Sequence, residues 1–200
     1  MKYLALGDSY TIGETVPKNG SFPFQLAKAL EKNALTAFDE VKVIAKTGWT
    51  TDELKEAIST ANPNSDYDLV SLLIGVNNQY RGYPINQFDK EFEELLKLAI
   101  GFAKGKNSNV VVVAIPDYGC TPFGAEKANQ IDVELKQYNQ ICAQKAKKYG
   151  VAFVNTYKTS KRAKSESELI ADDQLHPSQK MYTLWVNEIL PIAEKIIQLP

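Results

Sequence analysis

The chain begins with an apolar segment, KYLALGDS at residues 2–9, that runs directly into a Gly-Asp-Ser turn. Lys2–Leu6 has the length and composition of a buried β-strand. Because Gly, Asp and Ser are common turn residues, the sequence predicts that this strand is followed by a tight turn carrying Ser9. Such a turn either just ends a strand or presents a serine hydroxyl for chemistry, and the rest of the chain distinguishes the two.

Four more apolar runs of strand length follow along the chain. They are rich in Val, Ile and Leu at consecutive positions, which is typical of strands buried on both faces. They span Val41–Ala45, Leu69–Ile74, Val110–Ile115 and Val151–Val154.

Segments with the apolar periodicity of helices separate these strands. The clearest helix start is the capping box formed by Thr50 and Glu53. A last helix is predicted from Ser178 toward Ile197, where Pro191 should kink or divide it. Further helices are predicted over residues 22–32, 88–104 and 125–149.

The alternation of strands and helices predicts an α/β fold. We expect a five-stranded parallel sheet with right-handed crossovers and helices on both faces, a three-layer α/β/α arrangement of flavodoxin-like type. The chain has 200 residues, a length that one domain over residues 1–200 accommodates.

Composition excludes several classes of protein. Hydrophobic residues make up 44% and charged residues 24%, as in an ordinary globular protein. The net charge of −1 gives no basic excess, so nucleic acid is not expected as a partner. No apolar run approaches the length of a membrane span, so stable membrane association is not expected either. The short apolar start does not resemble a signal peptide, which predicts a cytoplasmic protein. The sequence makes no prediction about oligomeric state.

Polar residues cluster directly after the predicted strands. In an open α/β sheet the functional crevice lies beyond the carboxyl ends of the strands, so these residues are the candidates for a site. The clusters are Gly7-Asp8-Ser9, Lys46-Thr47-Gly48-Trp49, Gly75-Val76-Asn77-Asn78, Pro116 to Cys120, and Asp172 to Pro177.

The chain has a single histidine, His176. A serine hydroxyl becomes a good nucleophile when a histidine accepts its proton and a carboxylate orients that histidine. Asp173 precedes His176 by three residues, a spacing that lets one turn of chain bring the carboxylate to the ring. Donors for a developing oxyanion are the second requirement of such chemistry. The backbone N–H of Gly48, the side-chain amide of Asn77 and the N–H of Ser9 are candidates.

These motifs together resemble the GDSL or SGNH hydrolase family. The matching blocks are GDSY with Ser9, AKTGWT with Gly48, GVNN with Asn77, and DDQLH with Asp173 and His176, in the family's order over nearly the whole chain. The resemblance implies a serine acylhydrolase with Ser9 as nucleophile, His176 as base and then acid, and Asp173 as its orienting partner. It also implies an oxyanion hole of Ser9, Gly48 and Asn77, and no metal or organic cofactor.

The sequence departs from the family pattern at two positions. Tyr10 stands where the family label has Leu, and Asn78 stands where many members have Asp. The first change should pack beside the nucleophile without disabling it, and the second removes a charge from the local hydrogen-bond network. Cys120 follows the fourth strand near the expected pocket, and Cys142 fits the core face of a helix.

Other functions stay open at this point. A Gly-Asp-Ser turn before a helix also suits a flavodoxin-like phosphate- or nucleotide-binding module, and Asp8, Asp172 and Asp173 suit a metal hydrolase less well. A binding protein with a decayed site is a third alternative. Within the hydrolase reading the substrate is a small-molecule ester: a short-chain ester, a thioester, a lysophospholipid or an acetylated carbohydrate. Six aromatic residues fall near the expected crevice, namely Tyr10, Trp49, Tyr80, Tyr83, Tyr118 and Phe123.

Overall fold

A five-stranded parallel sheet forms the centre of the computed structural model, which describes residues 1–34 and 37–198. The strands are β1 (Lys2–Gly7), β2 (Glu40–Ala45), β3 (Leu69–Leu73), β4 (Val110–Val113) and β5 (Ala152–Val154). Their order across the sheet is β2-β1-β3-β4-β5, and every neighbouring pair is parallel. The α/β prediction with a five-stranded parallel sheet is therefore confirmed.

Helices cover both faces of this sheet. They are α1 (Ser9–Ile12), α2 (Phe22–Ala34), α3 (Thr51–Ala61), α4 (Val76–Tyr80), α5 (Ile85–Phe102), α6 (Ala128–Lys148), α7 (Tyr157–Ser160) and α8 (Gln179–Gln198). Helices α2 and α8 pack against each other on one face, while α3, α5 and α6 form a row on the other. No helix in the described part of the chain is both long enough and apolar enough to cross a membrane.

Burial follows position in the sheet. All residues of β3 and β4 are buried, and β1 is buried from Tyr3 onward, as the continuous apolar runs predict. The prediction of burial on both faces is wrong for β2, in which Ile44 alone is buried, and for β5, in which Val154 alone is buried. Strands β2 and β5 lie at the two edges of the sheet, where a strand has a neighbour on one side alone.

Two helix predictions have informative outcomes. The capping box opens α3, since the side chain of Glu53 accepts a hydrogen bond from the backbone N–H of Thr50 at 2.9 Å. Helix α8 is not divided at Pro191 but continues through it. Trp185, Ile189 and Ala193 are fully buried on both sides of the proline. Their packing offsets the hydrogen bond that Pro191 removes from the helix.

The sheet fixes the position of the candidate site residues. Strands β1, β2 and β3 run parallel, so the segments that follow them begin at one edge of the sheet. Ser9, Gly48 and Asn77 each come within four residues of the end of their strand. The fold therefore brings them to the same edge, although they are far apart in sequence.

Candidate active site

Ser9 is the first residue of α1, directly after β1. A side chain at Gly7 would place its Cβ 2.3 Å from the backbone oxygen of Leu73, so the end of β1 needs glycine to approach β3 closely. The side chain of Asp8 then accepts a hydrogen bond from the backbone N–H of Tyr10 at 3.0 Å and caps the turn. The N–H of Ser9 stands at the first helical position, where no acceptor exists within the helix.

Asp173 and His176 form a close pair in the turn before α8. The Nδ1 atom of His176 lies 2.5 Å from Oδ2 of Asp173, while Oδ1 of Asp173 accepts the backbone N–H groups of Leu175 and His176 at 3.0 and 2.9 Å. The backbone of Ala171 donates to the carbonyl of His176, which closes the turn. Because Asp173 engages Nδ1, the Nε2 atom is the ring nitrogen left to accept a proton.

Asp173 is held in its ionised form. Burial by itself would raise the pKa of this carboxyl, but hydrogen bonds from the ring and backbone of His176 and from the backbone of Leu175 outweigh burial and lower the pKa below its usual value. The ring of Tyr10 packs against His176 with centroids 5.5 Å apart. The histidine is therefore fixed by a charge at one edge and by an aromatic ring beside it.

Gly48 and Asn77 are each held by a hydrogen bond between a side chain and the backbone of the segment after β2. Gly48 has a φ of 86°, in the left-handed region that favours glycine. Its carbonyl accepts a 2.6 Å hydrogen bond from Nη2 of Arg81, while Nδ2 of Asn77 donates to the carbonyl of Trp49 at 3.0 Å. The sequence did not identify Arg81, which follows α4 directly. Its hydrogen bond to the carbonyl of Gly48 stabilises the loop that contains Gly48.

A cavity of about 160 Å³ joins these elements. Ser9, Gly48, Asn77 and His176 all line it, and Asp173 contacts His176 on the Nδ1 side of the ring. The structure thus brings all five predicted site residues to one place. Four of the six aromatic candidates also line the cavity, whereas Trp49 and Tyr83 do not. The other lining residues are Tyr10, Thr47, Val76, Tyr80, Tyr118, Phe123 and Leu175.

Asn78, the residue after Asn77, organises a buried hydrogen-bond network. Its Oδ1 accepts the backbone N–H of Thr51 at 3.1 Å, and its Nδ2 donates to Oγ1 of Thr51 at 2.7 Å. The hydroxyl of Thr51 in turn donates to Glu91. An aspartate at this fully buried position would have no hydrogen to give to Thr51, so the amide suits this chain. Asn78 therefore links α4 to the start of α3.

Asp8 is a buried carboxyl directly before Ser9. Its Oδ2 atom has no hydrogen-bond partner within residues 1–34 and 37–198. Burial raises the pKa of Asp8 to about 7, although the hydrogen bond from Tyr10 opposes the shift. A neutral acid in this place costs less than a buried carboxylate with a single hydrogen bond.

We expect this carboxyl to make the stability of the protein depend on pH. The folded state keeps the Asp8 proton up to about pH 7, whereas an unfolded aspartate releases it near pH 4. The free energy of unfolding should therefore fall by about 1.4 kcal/mol per pH unit between these values. Urea unfolding at pH 5 and at pH 7 measures this change. Between the two pH values, the free energy of unfolding of the wild type should fall by about 2 kcal/mol more than that of Asp8→Asn. An equal loss in both proteins would contradict the assignment.

The two cysteine thiols lie in unreactive environments. Burial, the charge of Asp117 and a hydrogen bond to it raise the pKa of Cys120 to about 11. Cys142 is buried on the core face of α6, as predicted, and burial raises the pKa of its thiol strongly. Neither thiol has the lowered pKa of a nucleophilic cysteine.

The alternative sites are less well formed. Among the described residues, no three His, Cys, Asp or Glu side chains come close enough together to hold a metal ion. Helix α1 is a single turn of four residues, and the side chain of Asp8 already accepts one of its free N–H groups, that of Tyr10. A single turn offers few aligned N–H groups to an anion, which does not favour a phosphate-binding module.

A family model described as the GDSL-like lipase/acylhydrolase family matches residues 5–184, most of the chain. This match and the fold together define the class of protein: it is a hydrolytic α/β enzyme. More narrowly, the chain belongs to the GDSL-like lipase/acylhydrolase family, as its motifs predict. A comparison of the sequence with curated proteins found no match.

Solved structures with the same fold include several hydrolases. A lipase/acylhydrolase from Enterococcus faecalis has a TM-score of 0.74 at 17% identity, over 100% of this chain and 97% of that one. The acetylxylan esterase Axe2 from Geobacillus stearothermophilus has a TM-score of 0.66 at 18% identity, over 96% and 93%. The esterase EstA from Pseudoalteromonas, inhibited by monoethylphosphonate, has a TM-score of 0.67 at 17% identity, over 99% of each chain. These similarities confirm the fold.

Proposed function

We propose that the protein is a serine esterase that hydrolyses carboxylic esters through an acyl-enzyme on Ser9. The observation that carries this proposal is that Ser9, His176, Gly48 and Asn77 line one cavity at the carboxyl edge of the sheet. A nucleophile, a base oriented by a carboxylate and a set of oxyanion donors are the parts that acyl transfer needs.

The first half of the reaction forms the acyl-enzyme. Oγ of Ser9 attacks the ester carbonyl while Nε2 of His176 accepts its proton, and Asp173 stabilises the imidazolium through Nδ1. The tetrahedral intermediate then collapses, the C–O bond to the alcohol breaks, and His176 gives its proton to the departing oxygen. The acyl group remains on Ser9 as an ester.

The second half releases the acid. A water molecule gives a proton to His176 and attacks the acyl-enzyme carbonyl, and a second tetrahedral intermediate forms. Its collapse returns the proton to Oγ of Ser9 and frees the carboxylic acid. No metal or organic cofactor takes part in either half, because the serine and the histidine carry the electron pairs and protons between them.

The oxyanion donors are Ser9 N–H, Gly48 N–H and Nδ2 of Asn77. One hydrogen of the Asn77 amide is fixed by the carbonyl of Trp49 at 3.0 Å, which leaves the second for the oxyanion. Arg81 fixes the carbonyl of Gly48 and so limits rotation of the peptide at that residue. Donors held in this way do not have to reorganise as the charge develops, and each contributes about 3 kcal/mol to transition-state binding.

The size of the cavity favours a short acyl group. A closed cavity of about 150 Å³ accommodates benzene, and the cavity here has about 160 Å³. An acetyl or propionyl ester group fits into that space, whereas a long acyl chain would extend beyond it. A small-molecule ester with a short acyl group is therefore the proposed substrate.

Covalent labelling tests this function. An alkyl fluorophosphonate should lose fluoride on attack by Oγ of Ser9 and leave one phosphonate on that serine, located by mass spectrometry of the digested protein. The Ser9→Ala variant should stay unlabelled, and a metal chelator should not change the rate. Labelling of another residue, or equal labelling of the variant, would refute the assignment of Ser9.

A further inference from the structure

A second groove adjoins the catalytic cavity. It has a volume of about 340 Å³ and shares Tyr80, Tyr118 and Phe123 with the cavity of Ser9. The two spaces are therefore neighbours that meet at these three aromatic residues. The rest of its lining comes from α4, from α6 and from the segments before α5 and α6, with Gln79, Gly82, Gly124, Glu126, Lys127, Gln130, Ile131 and Glu134.

The aromatic residues between the two spaces are unusually exposed. Tyr80 is 60% and Phe123 is 52% exposed, and their ring centroids lie 6.1 Å apart. The ring of Tyr118 packs beside both, and its hydroxyl donates to Oε1 of Gln79 at 2.9 Å. Large exposed aromatic rings at the mouth of a cavity are typical of ligand contacts.

The floor of the groove is polar. Glu134 accepts hydrogen bonds from Nε2 of Gln79 at 2.6 Å and from Nε2 of Gln130 at 2.9 Å. Glu126 and Lys127 add one negative and one positive charge. With two carboxylates against one ammonium group, the groove does not suit an anionic head group, and its amides and carboxylates do not suit an acyl chain.

We propose that this groove binds the alcohol part of the ester, and that this alcohol is an uncharged polyhydroxylated molecule such as a sugar. The proposal rests on the serine esterase function above. Hydroxyl groups pair with the carboxylates and amides of the groove, and the apolar face of a sugar ring packs on Phe123 or Tyr80.

The position of Phe123 supports the assignment of the groove to the alcohol part of the ester. Its backbone N–H donates to the carbonyl of Gln174 at 3.2 Å, in the turn that carries Asp173 and His176. Since His176 protonates the departing alcohol oxygen, the alcohol leaves on the histidine side of the cavity. The groove thus begins where the leaving group is released, while the small cavity holds the acyl group.

The test compares two acetyl esters that differ in alcohol alone, ethyl acetate and an acetylated methyl glucoside. The wild type should show a kcat/KM for the glucoside at least about tenfold higher, which corresponds to about 1.4 kcal/mol. Gln130→Leu should raise the KM for the glucoside and lower this preference about fivefold, and Phe123→Leu should do the same by removing a ring face. Val133→Ala, on an exposed part of α6 outside the groove, should keep the wild-type preference.

The outcomes separate the two proposals. Failure of Ser9→Ala to stop hydrolysis of ethyl acetate would refute the serine mechanism itself. Hydrolysis that depends on Ser9 but shows equal kcat/KM for the two esters would overturn the alcohol subsite alone. Ethyl octanoate as a better substrate than ethyl acetate, with a further gain in Gln130→Leu, would instead assign the groove to an acyl chain and overturn the proposal.

Discussion

Replacement of Ser9 by alanine is expected to lower kcat for p-nitrophenyl acetate by at least about 10⁴-fold. The methyl group of alanine has no electron pair to attack the carbonyl, so the acyl-enzyme does not form. The backbone N–H at position 9 remains, and with Gly48 and Asn77 it still binds the oxyanion of a direct attack by water. A small residual rate above the uncatalysed reaction should therefore persist.

Stopped assays at saturating substrate measure this effect. Ser59→Ala is a suitable control because Ser59 is exposed on α3 and does not line the cavity, and it should keep the wild-type kcat. Circular dichroism and urea unfolding of both variants establish that they are folded. A Ser9→Ala protein with more than a tenth of the wild-type kcat would show that Ser9 is a turn residue without a chemical role.

Replacement of Asp173 by asparagine should lower kcat by about 10³- to 10⁴-fold while leaving the turn intact. Oδ1 of the asparagine still accepts the backbone N–H groups of Leu175 and His176, as the aspartate does now. The amide nitrogen then takes the place of Oδ2 and donates to Nδ1 of His176. This places the histidine proton on Nε2, the atom that must accept the proton of Ser9.

Because the chain has a single histidine, the change of its tautomer in Asp173→Asn can be observed directly by NMR. Nitrogen-15 chemical shifts of His176 should report a proton on Nδ1 in the wild type and on Nε2 in Asp173→Asn. Asp172→Asn changes the neighbouring exposed carboxylate and should preserve both the tautomer and kcat. A loss of kcat in Asp172→Asn as large as in Asp173→Asn, or an unchanged tautomer in the latter, would remove Asp173 from the proposed triad.

The sheet was predictable because its strands are continuous apolar runs in a regular alternation with helices. Strands β1, β3 and β4 are buried as that pattern indicates. The partial burial of the edge strands β2 and β5 was not predictable, since strand order depends on contacts between distant segments. The single turns α1 and α4 were missed for a similar reason, because helices this short have no periodicity and are held by capping and tertiary contacts.

Those parts of the site that lie in short motifs directly after strands could be predicted from the sequence. Ser9, Gly48, Asn77, Asp173 and His176 follow from short motifs, and the fold gathers four of them around the cavity with Asp173 behind His176. The support around them was not predictable. Arg81 acts on a carbonyl 33 residues earlier, and nothing in its own neighbourhood of the sequence indicates that contact. The polar groove combines α4 with α6 and required the structure as well.

The high pKa of the cysteine thiols has a practical consequence for spectroscopy. With a pKa of about 11, the Cys120 thiol is almost entirely protonated at pH 7, and Cys142 is buried. A cysteine introduced by Val133→Cys, exposed on α6 one residue before Glu134, would outcompete both native thiols for a maleimide dye. The native sequence thus accepts a single fluorophore on the exposed side of α6 without removal of either cysteine.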